Sequence, residues 1–150
     1  MKRMVRVLAT GTFDILHPGH LFYLEEAKKL GDELYVIVAR DVNVKKRKPI
    51  IPEEQRLKMI SSLKVVDKAI LGSEKDIFEP LYEIKPDIVA LGYDQDFDER
   101  KLEEELRRRG FNTKVVRLGK CNSYPFCSSK DIIDEIIRRS RGLRGRKTKG

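Results

Sequence analysis

The sequence predicts a single α/β domain built on a doubly wound, five-stranded parallel sheet. Three observations predict it: apolar runs that are continuous rather than alternating, helical patterns between those runs, and proline, serine and glycine at the junctions. A chain of 150 residues with 40% hydrophobic content suits one compact domain with a real core.

The first run, residues 4–9, is rich in valine and leucine, as a strand buried on both faces requires. A helical pattern over 18–30 follows, with Pro18 suited to a first turn and Gly31 to a carboxyl-terminal stop. Residues 34–39 repeat the strand signal, and 52–63 the helical one with Pro52 at its start. A third strand over 69–71 leads to a helix over 74–84, which Ser73 is placed to cap and Pro80 is expected to break or kink. The fourth strand, 88–91, is followed by a helix over 99–109. There Glu103, Glu104 and Glu105 each precede an arginine by four residues, an exposed-face pattern, and Gly110 ends it. A last strand over 115–118 and a helix over 130–139, capped by Ser128, complete the series. Strict alternation of strand and helix gives a Rossmann-like sheet with right-handed crossovers. With no internal repeat and no linker, residues 1–139 form one domain.

The formal net charge of +8 invites a nucleic-acid reading until it is located. Arg138, Arg139, Arg141, Arg144, Arg146, Lys147 and Lys149 carry seven of the eight excess charges, and the rest of the chain is close to neutral. Residues 140–150 are therefore expected to be a disordered, solvated basic tail, and a nucleic-acid partner is not expected. The amino terminus has no apolar run of signal-peptide length and no stretch approaches a membrane span, so a cytoplasmic protein with no membrane partner is expected. Two cysteines cannot build a disulfide framework.

The chemistry concentrates at the end of the first strand, in Gly11-Thr12-Phe13-Asp14-Ile15-Leu16-His17-Pro18-Gly19-His20. A helix start offers unpaired amides to anionic phosphate, and a glycine at a strand exit admits a nucleotide to the backbone. His17 and His20, three apart with Gly19 leaving room, can aim both imidazoles at one ligand and donate to phosphate oxygens that gain charge as a bond to pyrophosphate breaks. Surface or cap histidines are the plain alternative. Zinc completed by Cys121 and Cys127 is the sharper one, although it leaves the Gly-Thr-Phe-Asp segment unexplained. Walker A and Gly-x-Gly-x-x-Gly patterns are absent.

Gly11-Thr12-Phe13-Asp14 followed by His17-Pro18-Gly19-His20 resembles the hallmark of the cytidylyltransferase-like nucleotidyltransferase superfamily, and the resemblance extends to about Arg139. It implies that His17 and His20 contact the triphosphate and stabilise the transition state, and that Thr12 and Phe13 help to hold the nucleotide. The Lys45, Lys46 and Lys48 cluster with Gln55-Arg56 resembles the segment that neutralises the triphosphate and the acceptor phosphate. Lys46 and Arg56 are thus assigned to catalysis, and Lys48 and Asp14 to the acceptor. Leu91-Gly92-Tyr93-Asp94 resembles the family's base and ribose contact through Gly92 and Asp94. Cys127-Ser128-Ser129-Lys130 lies where related enzymes open the last helix with a Ser/Thr-rich segment, which implies phosphate contacts from Ser128 and Ser129; Ser128 as a mere cap is the alternative.

Two departures separate the chain from the cytidylyl pattern. Asn122-Ser123-Tyr124-Pro125-Phe126 replaces the arginine that precedes that segment, and Cys127 replaces a hydroxyl residue. The combination is most similar to the archaeal-type FAD synthases, which implies ATP and FMN as substrates and a divalent metal, Mg2+, carried by the nucleotide with no protein metal site. Tyr124 and Phe126 are candidates to stack on a flavin ring, with core packing as their alternative. Cys127 is expected to be a redox-sensitive, modification-prone thiol whose pKa the helix start lowers. Transfer from CTP to glycerol-3-phosphate, a non-catalytic nucleotide sensor and an RNA-binding protein remain open, as does a homodimer.

Overall fold

Alternation along each strand decides where the two cores lie. The computed structural model describes residues 3–147, and in it the five expected strands are β1 (Arg6–Gly11), β2 (Glu33–Val38), β3 (Lys68–Leu71), β4 (Ile88–Leu91) and β5 (Lys114–Arg117). All pair in parallel in the order β3-β2-β1-β4-β5. The helices are α1 (Pro18–Lys28), α2 (Glu53–Ser61), α3 (Leu81–Ile84), α4 (Glu99–Arg108) and α5 (Ser129–Lys147). Successive strand side chains point to opposite faces. Val7, Ala9, Val36 and Val38 accordingly pack with Leu24 and Ala27 of α1 and Ile60 of α2. Leu8, Ile37, Val89 and Leu91 face the other way, onto Leu81 and Ile84 of α3 and Leu106 of α4. Near-continuous apolar strands are the consequence of this two-sided burial.

Chain order runs outward from β1 to β2 and β3 on one side, then returns to place β4 and β5 on the other. The connections leaving β1 and β4 therefore diverge, and the crevice between their carboxyl ends is the ligand position that such a sheet provides. The buried Tyr23 hydroxyl stitches this point. It donates to the Ala90 carbonyl at 2.6 Å and accepts from the Thr10 amide at 3.1 Å.

The punctuation expected from the sequence is realised unevenly. Pro18 opens α1, whereas Pro52 caps α2 from outside its first turn. At the end of α4, Gly110 adopts a φ of 91°, and the Phe111 amide reaches back to the Leu106 carbonyl at 2.9 Å. This is the left-handed stop that glycine favours. Residues 74–80 do not form the expected helix. Ser73 Oγ instead accepts from the Lys75 and Asp76 amides as a turn, and only α3, after Pro80, is helical. Residues 140–150 are expected as a disordered basic tail; in the structure α5 runs to Lys147, and residues 148–150 lie outside the described chain. Arginine and lysine are good helix formers, and Glu135 pairs with Arg138 and Arg139 along the helix surface. Among the described residues, no helix is long and apolar enough to cross a membrane.

Candidate active site

A cavity of about 820 Å³ opens at the carboxyl ends of β1, β2 and β4. The turn leaving β1 forms its floor. Phe13 takes a positive φ of 54°, a strained value for a bulky residue, and its ring is buried, edge-on to His20 at a centroid separation of 5.3 Å. Phe13, expected to hold the nucleotide, lines the cavity, and its side chain also supports His20. Gly11, read as an opening for the nucleotide, serves this packing, since a Cβ there would lie 2.8 Å from the Phe13 ring.

His17 and His20 stack with centroids 3.7 Å apart and an interplanar angle of 22°. The His17 amide donates to His20 Nδ1 at 3.3 Å, which places the His20 proton on Nε2. Burial, and secondarily the neighbouring His17, depress the His20 pKa to about 3. Burial also lowers His17, against an upward pull from Asp131 at the start of α5. Both rings are therefore neutral at pH 7. His17 Nδ1 is buried with no hydrogen-bond partner, an unusual state for a ring nitrogen in a protein interior.

Gly19 shows what the spacing between the histidines accommodates. A Cβ at this position would lie 2.2 Å from the Cys127 carbonyl and 2.8 Å from His17 Cε1. The segment before α5 thus crosses directly over the first turn of α1, and two helix starts meet at one place. Helix starts carry free amides and partial positive charge, so their convergence makes a phosphate cradle. Ser128 Oγ accepts from the Asp131 amide at 3.2 Å and caps α5, while Ser128, Ser129 and Lys130 line the cavity.

Of the residues assigned to the site from sequence, Thr12, Phe13, Asp14, His17, Gly19, His20, Lys46, Gly92, Asp94, Cys127, Ser128 and Ser129 line this cavity. Several have other duties. Both Asp14 oxygens accept backbone amides, from Ile50 at 3.0 Å and Ile51 at 2.8 Å, so this carboxylate also pins a loop at the cavity wall. Lys46 bridges the cavity mouth to Asp96 at 3.2 Å, with both side chains almost fully exposed. Lys48, Tyr124 and Phe126 do not line the cavity, and Tyr124 is 62% exposed.

Arg56 requires the firmest correction. Its side chain is fully buried, with Nε on the Ile51 carbonyl, Nη1 on the Thr12 and Ala39 carbonyls, and Nη2 on Asp41 at 2.6 Å. Four of five guanidinium hydrogens are committed to holding loops, so Arg56 positions the site without touching the reacting atoms. Cys127 is corrected too. Its thiol lies 2.9 Å from Cys121 Sγ and donates to the Tyr124 carbonyl, and the contact with Cys121, then burial, push its pKa up rather than down. Zinc finds no ligand set, since among the described residues no three His, Cys, Asp or Glu side chains are grouped to hold a metal ion.

Sequence reasoning missed the groups that shape the β4 side. Gln95 accepts from the Gly92 amide at 2.8 Å and donates to the Thr10 carbonyl at 3.0 Å, which ties β4 to β1 across the crevice. Arg117 donates to the Gly92 and Gln95 carbonyls at 2.8 and 3.0 Å and also grips the Phe97 carbonyl and Glu99. Neither residue belongs to a motif, so the sequence carried no signal for them.

A cytidylyltransferase-like family model matches residues 8–135. The chain is 68% identical to an FAD synthase of Archaeoglobus profundus over 135 residues, 89% of this chain and 87% of the relative. It is 63% identical to an FAD synthase of Methanohalophilus mahii over 139 residues, 92% of this chain and 98% of the relative. Among solved structures, a protein of Thermoplasma volcanium described as a lipopolysaccharide core biosynthesis protein superposes with a TM-score of 0.78 at 53% identity, covering 80% of this chain and all of that one.

Proposed function

The chain belongs to the cytidylyltransferase-like family, and on that premise we propose that it is an FAD synthase, transferring AMP from ATP to FMN with release of pyrophosphate. The observation that carries the chemistry is the stacked His17 and His20 pair beneath two converging helix starts. An oxygen of the FMN phosphate attacks the α-phosphorus of ATP in line. The new P–O bond forms as the bond to the β-phosphate oxygen breaks, and its electron pair leaves on pyrophosphate. No covalent enzyme intermediate is required. Catalysis is positioning together with stabilisation of the charge that moves onto the departing oxygens.

The neutral His20 ring suits this work, because its Nε2–H is a fixed donor that does not neutralise substrate in the ground state. His17 and the helix amides add donors, and Lys46 and Arg47 at the mouth supply positive charge. Mg2+ would supply charge neutralisation across the phosphates. It would arrive carried by the triphosphate.

The test offers ATP or CTP against FMN or glycerol-3-phosphate, with and without a chelator, and separates products by chromatography. FAD from ATP and FMN, abolished by the chelator and restored by Mg2+, is expected. Efficient reaction of CTP with glycerol-3-phosphate and none with FMN would refute the assignment.

A further inference from the structure

The cavity is larger than a phosphate cradle needs. Besides the histidines, its lining includes Gly72, Ser73 and an apolar lobe of Ile37, Ile77, Phe78, Leu91, Phe97 and Leu102, of which Ile37, Phe78, Leu91 and Leu102 belong to the second core face. This lobe exists because residues 74–80 form turns and α3 is a single turn, so the second core face has thin cover at the carboxyl end of β2. Ile77 and Phe97 remain 58% and 40% exposed although both line the cavity. Large apolar side chains exposed in a concave site mark a surface meant to be covered.

Resting on the FAD synthase reading, we propose that this lobe seats the isoalloxazine ring of the flavin acceptor, with Ile77 and Phe97 as its specificity-determining residues. Adenine carries hydrogen-bonding atoms around most of its edge, and aliphatic and phenyl walls would leave them unpaired. The dimethylbenzene end of a flavin has no such atoms and gains from apolar contact. A small polyol phosphate would lose water from its hydroxyls and cover little of the wall, so the same lobe disfavours it. Lys46 and Arg47 line the same cavity, where the acceptor phosphate must approach the triphosphate. The flavin site is thereby moved away from Tyr124 and Phe126, which lie outside the lining.

The test measures equilibrium FMN and riboflavin binding by quenching of flavin fluorescence, and ATP affinity, on the full chain. The variants are Ile77→Asp, Phe97→Ser and a Tyr124→Ala/Phe126→Ala double substitution. Affinity for both flavins should fall about tenfold or more in the two lobe variants, with ATP affinity held within about twofold as the check on folding. The double variant should bind flavin like the parent. Unchanged FMN affinity in both lobe variants overturns the inference, as does loss confined to the double variant. Loss of ATP affinity in place of FMN affinity would seat adenine in the lobe and equally overturn it. The two readings separate cleanly: a parent protein that binds FMN through the lobe yet makes no FAD refutes the reaction alone. One that makes FAD while the lobe variants bind FMN normally refutes the lobe alone.

Discussion

His20 donates from Nε2 because its Nδ1 is occupied by the His17 amide, and it is neutral because burial and the stacked neighbour oppose a proton. Removing a donor aimed at developing charge costs about 2.7–4 kcal/mol. His17→Ala and His20→Ala should therefore lose on the order of a hundredfold to a thousandfold in single-turnover rate, while equilibrium ATP binding weakens far less. Unaltered turnover with lowered thermal stability would make the pair structural. The same depressed pKa links stability to pH. Unfolded His20 takes up a proton near 6.5 and the folded residue only near 3, so below pH 6.5 the unfolded chain binds more protons. Stability contributed by neutral His20 is present above 6.5 and lost as pH falls. Melting temperature should decline between pH 7 and pH 5, above the range where carboxylates titrate, and His20→Asn should flatten that slope. A slope unchanged by the substitution would contradict the assignment. At Gly19 a methyl group meets a backbone oxygen rather than a flexible side chain. Gly19→Ala should force the Cys127 segment or the His17 ring aside and depress turnover, and wild-type turnover would show that the crossing is not tight.

Among the elements, buried arginine does what regular secondary structure cannot. Three loops have to meet above the sheet, and Arg56 of α2 gathers the Thr12 and Ala39 carbonyls at the exits of β1 and β2 together with Ile51 and Asp41. Removing one partner from such a buried cluster costs about 3–5 kcal/mol. Arg56→Ala should lose stability of that order in denaturant unfolding, where a surface phosphate ligand would lose turnover and keep its stability. The sequence presented Gln55-Arg56 as a phosphate-binding pair because residue type and position after β2 fit that role. Only burial and the count of donors assign it to the loops. The short α3 has a similar explanation: the helical pattern over 74–84 was legible, but Ser73 and Pro80 gave residues 74–80 turn hydrogen bonds instead. In α5, it is the first turn, through Ser129 and Lys130, that lines the cavity. Truncation after Arg139 should leave FAD formation intact, and loss of activity in that folded variant would give the basic end a part in the reaction.

At the scale of the whole molecule, the cavity spans both halves of the sheet, with β1 and β2 on one side of the divergence and β4 on the other. A ligand that bridges them binds only the folded chain. ATP with Mg2+ at a hundred times its dissociation constant should stabilise the fold by about 2.7 kcal/mol, visible as a rise of several degrees in melting temperature. No shift at saturating nucleotide would place the binding site elsewhere. The sequence by itself determined the five parallel strands and the histidine pair at the start of α1. Continuous apolar runs, strand-helix alternation and a contiguous ten-residue junction are all local signals, readable within a few residues of one another. Tertiary structure alone decided that Arg56 is buried, that Asp14 pins a loop and that Gly19 makes way for the Cys127 carbonyl. It alone decided too that Gln95 and Arg117 shape the β4 loop and that an apolar lobe lies beside Ile77 and Phe97. Each of these depends on atoms far apart in the chain competing for one hydrogen bond or one volume, and that competition is settled only when the chain has folded.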